Sequence, residues 1–208
     1  MGLFDWLSGK KDTVQITEER IWLTKQAKFA GIQREIASAL SDPNGPDAVF
    51  LVAHFEDCFD ELRSLATIAG FDENRVLVSR SDALEGRMAE SSLDQSRNIL
   101  IVVGERHPRP SHDDALLEFA RNLSCRCRFV QHASLEDPLL KIVASQWVQG
   151  VLRRLGMKED EPIESRMVGR RIRSAQQKIE DRAAGDTPAH SAEEWMEKNC
   201  PNFGQPRS

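Results

Sequence analysis

The chain has 208 residues, of which 40% are hydrophobic and 29% are charged, and its formal net charge at pH 7 is −5. These values predict one domain of ordinary size with short appendages. The acidic balance argues against nucleic-acid binding, and no apolar run is long enough to cross a bilayer. The four cysteines form no paired C-x-x-C set and no secretory signal is present, so we expect a cytoplasmic protein without a metal site.

Residues 1–19 form a short N-terminal arm that is aromatic at its start and basic further along. Phe4 and Trp6 precede Lys10 and Lys11, a pattern that suits peripheral contact with the inner face of the cell membrane. The alternative is that both aromatic side chains pack on the arm's own domain. We favour packing, because binding to a bilayer scales with buried apolar area and this arm offers little.

The middle of the chain alternates between apolar strands and amphipathic helices. A short edge strand at residues 20–23 precedes a helix at 25–40, which Thr24 caps. Further strands are predicted at 48–53, 75–79, 98–103 and 126–131, and further helices at 56–70, 81–95, 111–123 with Ser111 as cap, and 134–155. This alternation implies an α/β fold with a parallel sheet, helices on both faces and the strand at 98–103 in its centre.

A second helical stretch follows residue 156. Gly156 ends one helix and Pro162 opens the next, with acidic residues at the new helix's positive end. An apolar stripe with helical spacing follows at Val168, Ile172, Ala175 and Ile179. The basic residues of this helix lie largely off the stripe and are candidates for contact with an acidic partner or anionic lipid: Arg166, Arg170, Arg171, Arg173 and Lys178. A linker at 183–188 and a short helix at 191–199 complete the predicted elements.

Residues 154–182 carry a specific resemblance. Their motifs R-L-G-M, P-I-E, M-V, A-Q and K-I-E stand in the register found in SecA, the motor ATPase of bacterial protein export. The stretch resembles SecA where its second nucleotide-binding domain passes into the helical scaffold. The resemblance implies a RecA-like second motor domain at 20–155 in degenerate form, a truncated scaffold helix at 156–184, and a linker, short helix and tail at 185–208.

The same resemblance shows which parts of the motor have been lost. SecA has G-T-E-R-H after its central strand and then arginines that face ATP, but here three of those positions read Leu117, Phe119 and Asn122. The segment T-N-M-A-G-R-G-T-D is absent, and no G-x-x-x-x-G-K-[ST] loop or acidic magnesium box occurs. We therefore expect no ATPase activity and no cofactor, while weak ATP or ADP binding stays open.

Two other clusters of reactive side chains are weighed against structural roles. Glu105, Arg106 and His107 follow the central strand, and with His112 they resemble general acid–base equipment, but no nucleophile stands beside them. We favour structure or partner contact for Glu105, Arg106 and His107. Cys125-Arg126-Cys127 places two thiols on one face of a strand, which favours core packing over a redox or metal pair.

Three functions remain open at this point. The first is a non-catalytic SecA-like accessory or regulatory binding module in protein export, with full-length SecA or the translocase channel as its protein partner. The second is the nucleotide-binding half of a split ATPase that a partner completes in trans. The third is a scaffold that keeps the fold outside export.

Overall fold

The computed structural model describes residues 14–17, 19–90, 97–143, 158, 160–164 and 166–201. The strands are β1 (Val14–Ile16), β2 (Arg20–Trp22), β3 (Ala48–Ala53), β4 (Val76–Arg80), β5 (Asn98–Val103), β6 (Arg126–Ser134) and β7 (Ile163–Glu164). The helices are α1 (Lys25–Ser41), α2 (Glu56–Ile68), α3 (Leu84–Glu90), α4 (Pro110–Arg121), α5 (Pro138–Val143), α6 (Arg166–Glu180) and α7 (Ala192–Asn199). The predicted α/β fold is confirmed, and it is consistent with a RecA-like domain.

The strands form one mostly parallel sheet in the order β4-β3-β5-β6-β2-β7, with β1 also pairing with β6. The exception is β7, which pairs antiparallel with β2. β5 lies in the centre, as predicted, between β3 and β6. β3 and β5 pair directly from Ala48↔Ile99 to Val52↔Val103, so no further strand separates them.

The two central strands are apolar on both faces because helices cover both. Alternate residues point to opposite sides of a strand. Phe50 and Ile101 therefore join Leu116 of α4 in a front cluster, which also contains Leu84, Met88, Ala120, Cys125, Cys127 and Phe129. Leu51 and Val102 face the other way and join a back cluster with Ile32, Ile36 and Leu62 of α1 and α2.

A third apolar cluster, here called the C-terminal cluster, joins distant parts of the chain. Ile21 of β2 and Leu135 after β6 pack there with the α6 and α7 side chains. Its members from α6, α7 and the residue after α7 include Ile172, Ile179, Ala192, Trp195 and Cys200. Ile172 and Ile179 are completely buried, and burying each contributes about 2 kcal/mol. The predicted apolar stripe of α6 is thus confirmed.

Most predicted elements occur within a few residues of their expected bounds. β3 and β5 have the predicted limits, and Thr24 Oγ1 accepts a hydrogen bond from Ala27 N at the start of α1. α2 ends just before Gly70, whose φ of +66° lies in the left-handed region that favours glycine. α1 lies so close to β2 that a Cβ on Gly31 would stand 2.1 Å from the Trp22 ring.

Several local predictions are wrong, and the first is a helix predicted to start at residue 134, because β6 runs to Ser134 and α5 begins at Pro138. Ser111 does not cap α4, because the helix already begins at Pro110, whose missing N–H suits a first-turn position. Pro162 does not open a helix, because Ile163 and Glu164 pair with Ile21 and Arg20 as β7 and α6 begins at Arg166. For the same reason β2 is not an edge strand along that part of its length, and the acidic residues Asp160, Glu161 and Glu164 precede α6 instead of lying in its first turn.

The predicted linker packs against α7. Ser191 caps α7 through a hydrogen bond to Glu194 N, and Trp195 of α7 is buried. Asn199 also holds the preceding segment, because its Oδ1 accepts a hydrogen bond from Thr187 N and its Nδ2 donates one to Thr187 O. The N-terminal arm with Phe4, Trp6, Lys10 and Lys11, the helix end at Gly156 and most of the tail lie outside the described residues, and the proposed domain boundaries stay predictions.

Candidate functional site

The loop after β5 lies where parallel sheets generally bind ligands, at the carboxyl ends of the strands. Gly104 opens this loop, and a Cβ there would meet the Leu62 and Cys58 side chains at 3.0 and 3.1 Å. Glu105 follows, and its Oε1 accepts hydrogen bonds from the backbone N–H groups of His54 and Phe55, both at 2.9 Å. The Glu105 carboxylate therefore stands at the N-terminus of α2, where a helix dipole favours an anion.

Burial determines the protonation of Glu105. The side chain is 8% exposed, and this desolvation raises its pKa to about 7, although His54 and the Phe55 N–H act in the opposite direction. Among the described residues no basic side chain forms an ion pair with Glu105. The carboxyl group is thus a buried acid whose charge the chain balances only through backbone N–H groups and more distant cations.

Asp113 of α4 is the centre of an ion-pair network beside Glu105. Arg106 donates to Asp113 Oδ2 at 2.9 Å and to Glu19 Oε1 at 2.6 Å. His107 N donates to Asp113 Oδ1, and His54 Nε2 lies 2.9 Å from the same oxygen. Although burial acts to raise the pKa of Asp113, His54 and Arg106 hold it well below its usual range. Asp113 is therefore a buried carboxylate with a structural role.

Gln176 of α6 completes this network, and sequence reasoning did not assign it a role. Its Nε2 donates to His107 O at 2.8 Å and to Asp113 Oδ2 at 2.6 Å, and the side chain is fully buried. The signal was present in the sequence, because Gln176 lies four residues after Ile172 and so falls on the apolar stripe. A polar residue on a buried stripe requires polar partners.

His107 is enclosed by aromatic rings. It stacks on Phe55 and His112, with ring centroids at 5.0 and 3.8 Å, and meets Trp195 edge-on at 5.1 Å. Burial, with His54 and His112 nearby, lowers its pKa to about 3, so the ring is neutral. His107 Nδ1 accepts a hydrogen bond from Arg109 N at 3.0 Å, which leaves the ring proton on Nε2.

Asp186 fastens the segment before α7 to this aromatic group. It accepts hydrogen bonds from Trp195 Nε1 at 2.8 Å, lies 2.8 Å from His112 Nε2, and has Arg109 at 3.3 Å. His107, His112 and Asp186 hold potential metal-ligand atoms within 4.8 Å of one another. His107, however, has Nδ1 engaged by a backbone N–H and a proton on Nε2, which is unfavourable for a metal ligand, so we assign these contacts to fastening the C-terminal segment.

A cavity of about 480 Å³ opens beside Glu105, between α1, α2, the β6–α5 connection and the start of α7. Its lining contains six acidic and four basic side chains: Asp57, Glu61, Glu105, Glu136, Asp137 and Glu193, with Lys25, Lys28, Arg106 and Lys141. Three of the basic groups are already paired within the chain. Lys28 contacts both oxygens of Asp137 at 3.0 and 3.1 Å, Lys25 pairs with Glu61, and Arg106 pairs with Glu19 and Asp113. The cavity therefore keeps an excess of negative charge.

The predicted partner-contact residues divide into two groups. Glu105 and His107 are buried, and the Arg106 side chain is 14% exposed with both carboxylate partners in the chain. The basic residues of α6 are all exposed, namely Arg166, Arg170, Arg171, Arg173 and Lys178. Of these, Arg173 pairs with Asp114, its Nη1 lying 2.8 Å from Oδ1. Partner contact stays a prediction for both groups, but only the second offers charge to solvent.

Two of the three side chains that stand in place of the motor's arginines pack on the protein's own core, and the third is exposed. Leu117 and Phe119 of α4 are half-buried and pack on the front cluster, and Asn122 ends the helix. Cys125 and Cys127 also belong to that cluster. Burial raises the pKa of Cys127 to about 12, and the nearby Cys125 contributes a smaller increase. Core packing of both thiols is thus confirmed.

The comparisons with known proteins find bacterial relatives. The chain is 55% identical to "Protein translocase subunit SecA" of Xanthomonas oryzae pv. oryzae (strain PXO99A), over 176 aligned positions that cover 76% of the chain and 19% of that relative. The same figures hold for the SecA of Xanthomonas campestris pv. campestris (strain 8004). The SecA of Stenotrophomonas maltophilia (strain R551-3) is 55% identical over 49 residues, 24% of the chain and 5% of that relative.

Three further findings accompany these similarities. The chain spans less than a fifth of the length of the first of these curated relatives, and no protein-family model matches it. Within the described residues, every helix is too short or too polar to pass through a bilayer. The similarity therefore concerns one segment of a much longer protein.

Proposed function

Because the chain is a SecA-related protein, we propose that it serves protein export as a binding module that does not hydrolyse ATP. It would act as an accessory or regulatory partner of full-length SecA or of the translocase channel. The observation that carries this proposal is the orientation of Leu117 and Phe119, which pack on the front cluster where the related motor presents arginines. Apolar groups cannot stabilise charge that develops on a transferred phosphoryl group.

Two further features support the absence of hydrolysis. The T-N-M-A-G-R-G-T-D segment that SecA carries before its central strand has no counterpart in this sequence. The N-terminus of α2 already holds the Glu105 carboxylate, and the adjoining cavity carries more acidic than basic groups. A nucleotide triphosphate would meet like charge at this edge.

The exposed basic flank of α6 is the proposed contact surface. Arg170, Arg171 and Lys178 are exposed, while Ile172 and Ile179 on the opposite side anchor the helix in the C-terminal cluster. The helix is thus held rigidly and presents positive charge outward. A surface of this kind suits an acidic protein partner, because complementary charge speeds association and orients the partner.

Affinity purification of the tagged protein from its own cells, followed by mass spectrometry, tests the proposal. We expect full-length SecA or channel components to co-purify, and the double substitution Arg170→Glu with Arg171→Glu to reduce their recovery at least about tenfold. The matched control is Arg121→Glu with Arg126→Glu, which changes the charge equally at exposed positions elsewhere. Unchanged recovery with the α6 variant would show that α6 is not the contact.

Two other outcomes would favour the alternative functions. Reproducible recovery of a complex without any translocation component would indicate a scaffold outside export. The purified chain alone should release no phosphate from ATP above the buffer rate. Stimulated hydrolysis on mixing with a co-purified partner would instead support the half of a split ATPase completed in trans.

A further inference from the structure

The cavity beside Glu105 has the composition of a binding site for a positively charged small molecule. We propose that it binds a small organic cation through a primary ammonium group, with Glu105 as the principal anion. This inference concerns a different surface from the α6 flank, and it does not depend on a role in protein export.

Glu105 provides the first argument. Its Oε1 is fully used by two backbone N–H groups, whereas its Oε2 has no hydrogen-bond partner among the described residues. The side chain is more than nine-tenths buried and lines the cavity. The second carboxylate oxygen can therefore accept a hydrogen bond from a ligand in the cavity, and a charged donor forms a stronger bond of this kind than a neutral one.

The remaining charges give the second argument. Lys28 is neutralised by its contacts with both oxygens of Asp137, and Lys25 lies 2.9 Å from Glu61. Arg106 points to Glu19 and Asp113. Lys141 is therefore the remaining basic side chain of the lining. The acidic side chains that remain number four, namely Asp57, Glu105, Glu136 and Glu193. The net potential favours a cation over an anion.

The size and the walls of the cavity give the third argument. Its volume of about 480 Å³ lies within the range of small-molecule pockets. Four different elements of the chain form its walls, including Ser191 and Ala192 at the start of α7. Because α7 is anchored by Trp195 in the C-terminal cluster, that wall is fixed in place before a ligand arrives.

Thermal unfolding and isothermal titration calorimetry with 1,4-diaminobutane test the assignment, and 1,4-butanediol is the uncharged probe of similar shape. We expect the diamine to raise the melting temperature and the diol to leave it unchanged. Glu105→Gln should weaken diamine binding at least about tenfold, because it keeps an acceptor for the two N–H groups but removes the charge. Glu118→Gln, an exposed substitution on α4 away from the cavity, should bind like the wild type.

A second variant keeps the test decisive if Glu105→Gln does not fold. Glu193→Gln removes an exposed charge from the cavity wall without touching the buried network, and it should weaken diamine binding about two- to fivefold at low salt. Absence of any diamine-induced shift, equal shifts by the diol, or undiminished binding in both cavity variants would overturn the proposal. Pyrophosphate binding that Glu105→Gln strengthens would also overturn it, since the site would then prefer anions.

Discussion

The ion-pair network around Asp113, at the carboxyl ends of the strands, and the exposed flank of α6 use charged side chains in opposite ways. In that network, Asp113 and Gln176 are buried, and the mostly covered Arg106 side chain and Gln176 both donate hydrogen bonds to Asp113. On α6, Arg170 and Arg171 face solvent. The difference shows that a charged motif can survive in a sequence because the fold needs it, whereas a charged surface that the fold does not use is the better candidate for contact with a partner.

The strongest test of this comparison is Asp113→Ala beside Asp114→Ala. Loss of Asp113 leaves the mostly covered Arg106 and the buried Gln176 without their shared acceptor, so we expect the free energy of unfolding to fall by about 3–5 kcal/mol. Asp114 is exposed and pairs with Arg173, and its loss should cost less than about 1 kcal/mol. Urea unfolding measures both values. Equal costs would mean that the buried network does not stabilise the fold.

Gln176→Ala beside Gln177→Ala applies the same logic to neutral side chains on adjacent positions of α6. Gln176 is buried and donates to His107 O and Asp113, so its loss should lower the free energy of unfolding by about 1–3 kcal/mol. Gln177 is exposed, and its replacement should stay within about 0.5 kcal/mol of the wild type. A larger effect at Gln177 than at Gln176 would contradict the described docking face of α6.

A pH dependence is expected from a second buried pair, His132 and Glu35. Burial lowers the pKa of His132 below its ordinary value, even though Glu35 acts to raise it. The unfolded chain therefore takes up a proton at His132 before the folded chain does, so stability falls as the pH decreases through about 6.5. The pKa of Glu35 is also lowered, since His132 and Arg20 outweigh the opposing effect of burial, and this adds a further loss at more acidic pH.

His132→Gln isolates this contribution. Glutamine keeps an acceptor for Trp22 Nε1 and a donor toward Glu35, but it does not titrate. Melting temperatures between pH 8 and pH 5.5 should therefore decline less steeply in the variant than in the wild type. Parallel declines would show that His132 is protonated equally in the folded and unfolded chains.

The smallest expected effect on stability belongs to the α6 flank. Arg170→Glu with Arg171→Glu should change the free energy of unfolding by about 0.5 kcal/mol or less, because both side chains are exposed. The same variant should lose partner recovery in the purification experiment. A clear loss of stability would mean that these arginines stabilise the fold, as Arg106 does, and do not form a free contact surface.

Sequence patterns predicted the sheet well because its strands are apolar on both faces. β3 and β5 are almost entirely apolar runs of strand length, as expected of strands that are buried on both faces. The stripe at Val168, Ile172, Ala175 and Ile179 identified the buried face of α6. Local rules failed where tertiary pairing decided the conformation. Pro162 satisfied the rule for a helix start, but Ile163 and Glu164 gain ladder hydrogen bonds from β2.

The candidate site was only partly predictable for a similar reason. The motif at Glu105 to His107 was evident in the sequence, but its burial depends on Gln176 and Asp186, which are distant along the chain. Nothing in the local pattern around Asp186 indicates that it holds Trp195 and His112. The unpaired oxygen of Glu105 and the acidic cavity beside it likewise depend on where four separate elements meet.

The C-terminal cluster has a consequence for the order of events during synthesis. The back cluster needs only residues up to Val130, so it can close while the rest of the chain is still being made. The C-terminal cluster joins Ile21 to Trp195 and Cys200, and it cannot close until Trp195 and Cys200 have left the ribosome. Until then Ile21, Phe55 and Leu135 stay uncovered, which makes this interval the one in which the nascent chain is most exposed to aggregation and to chaperones.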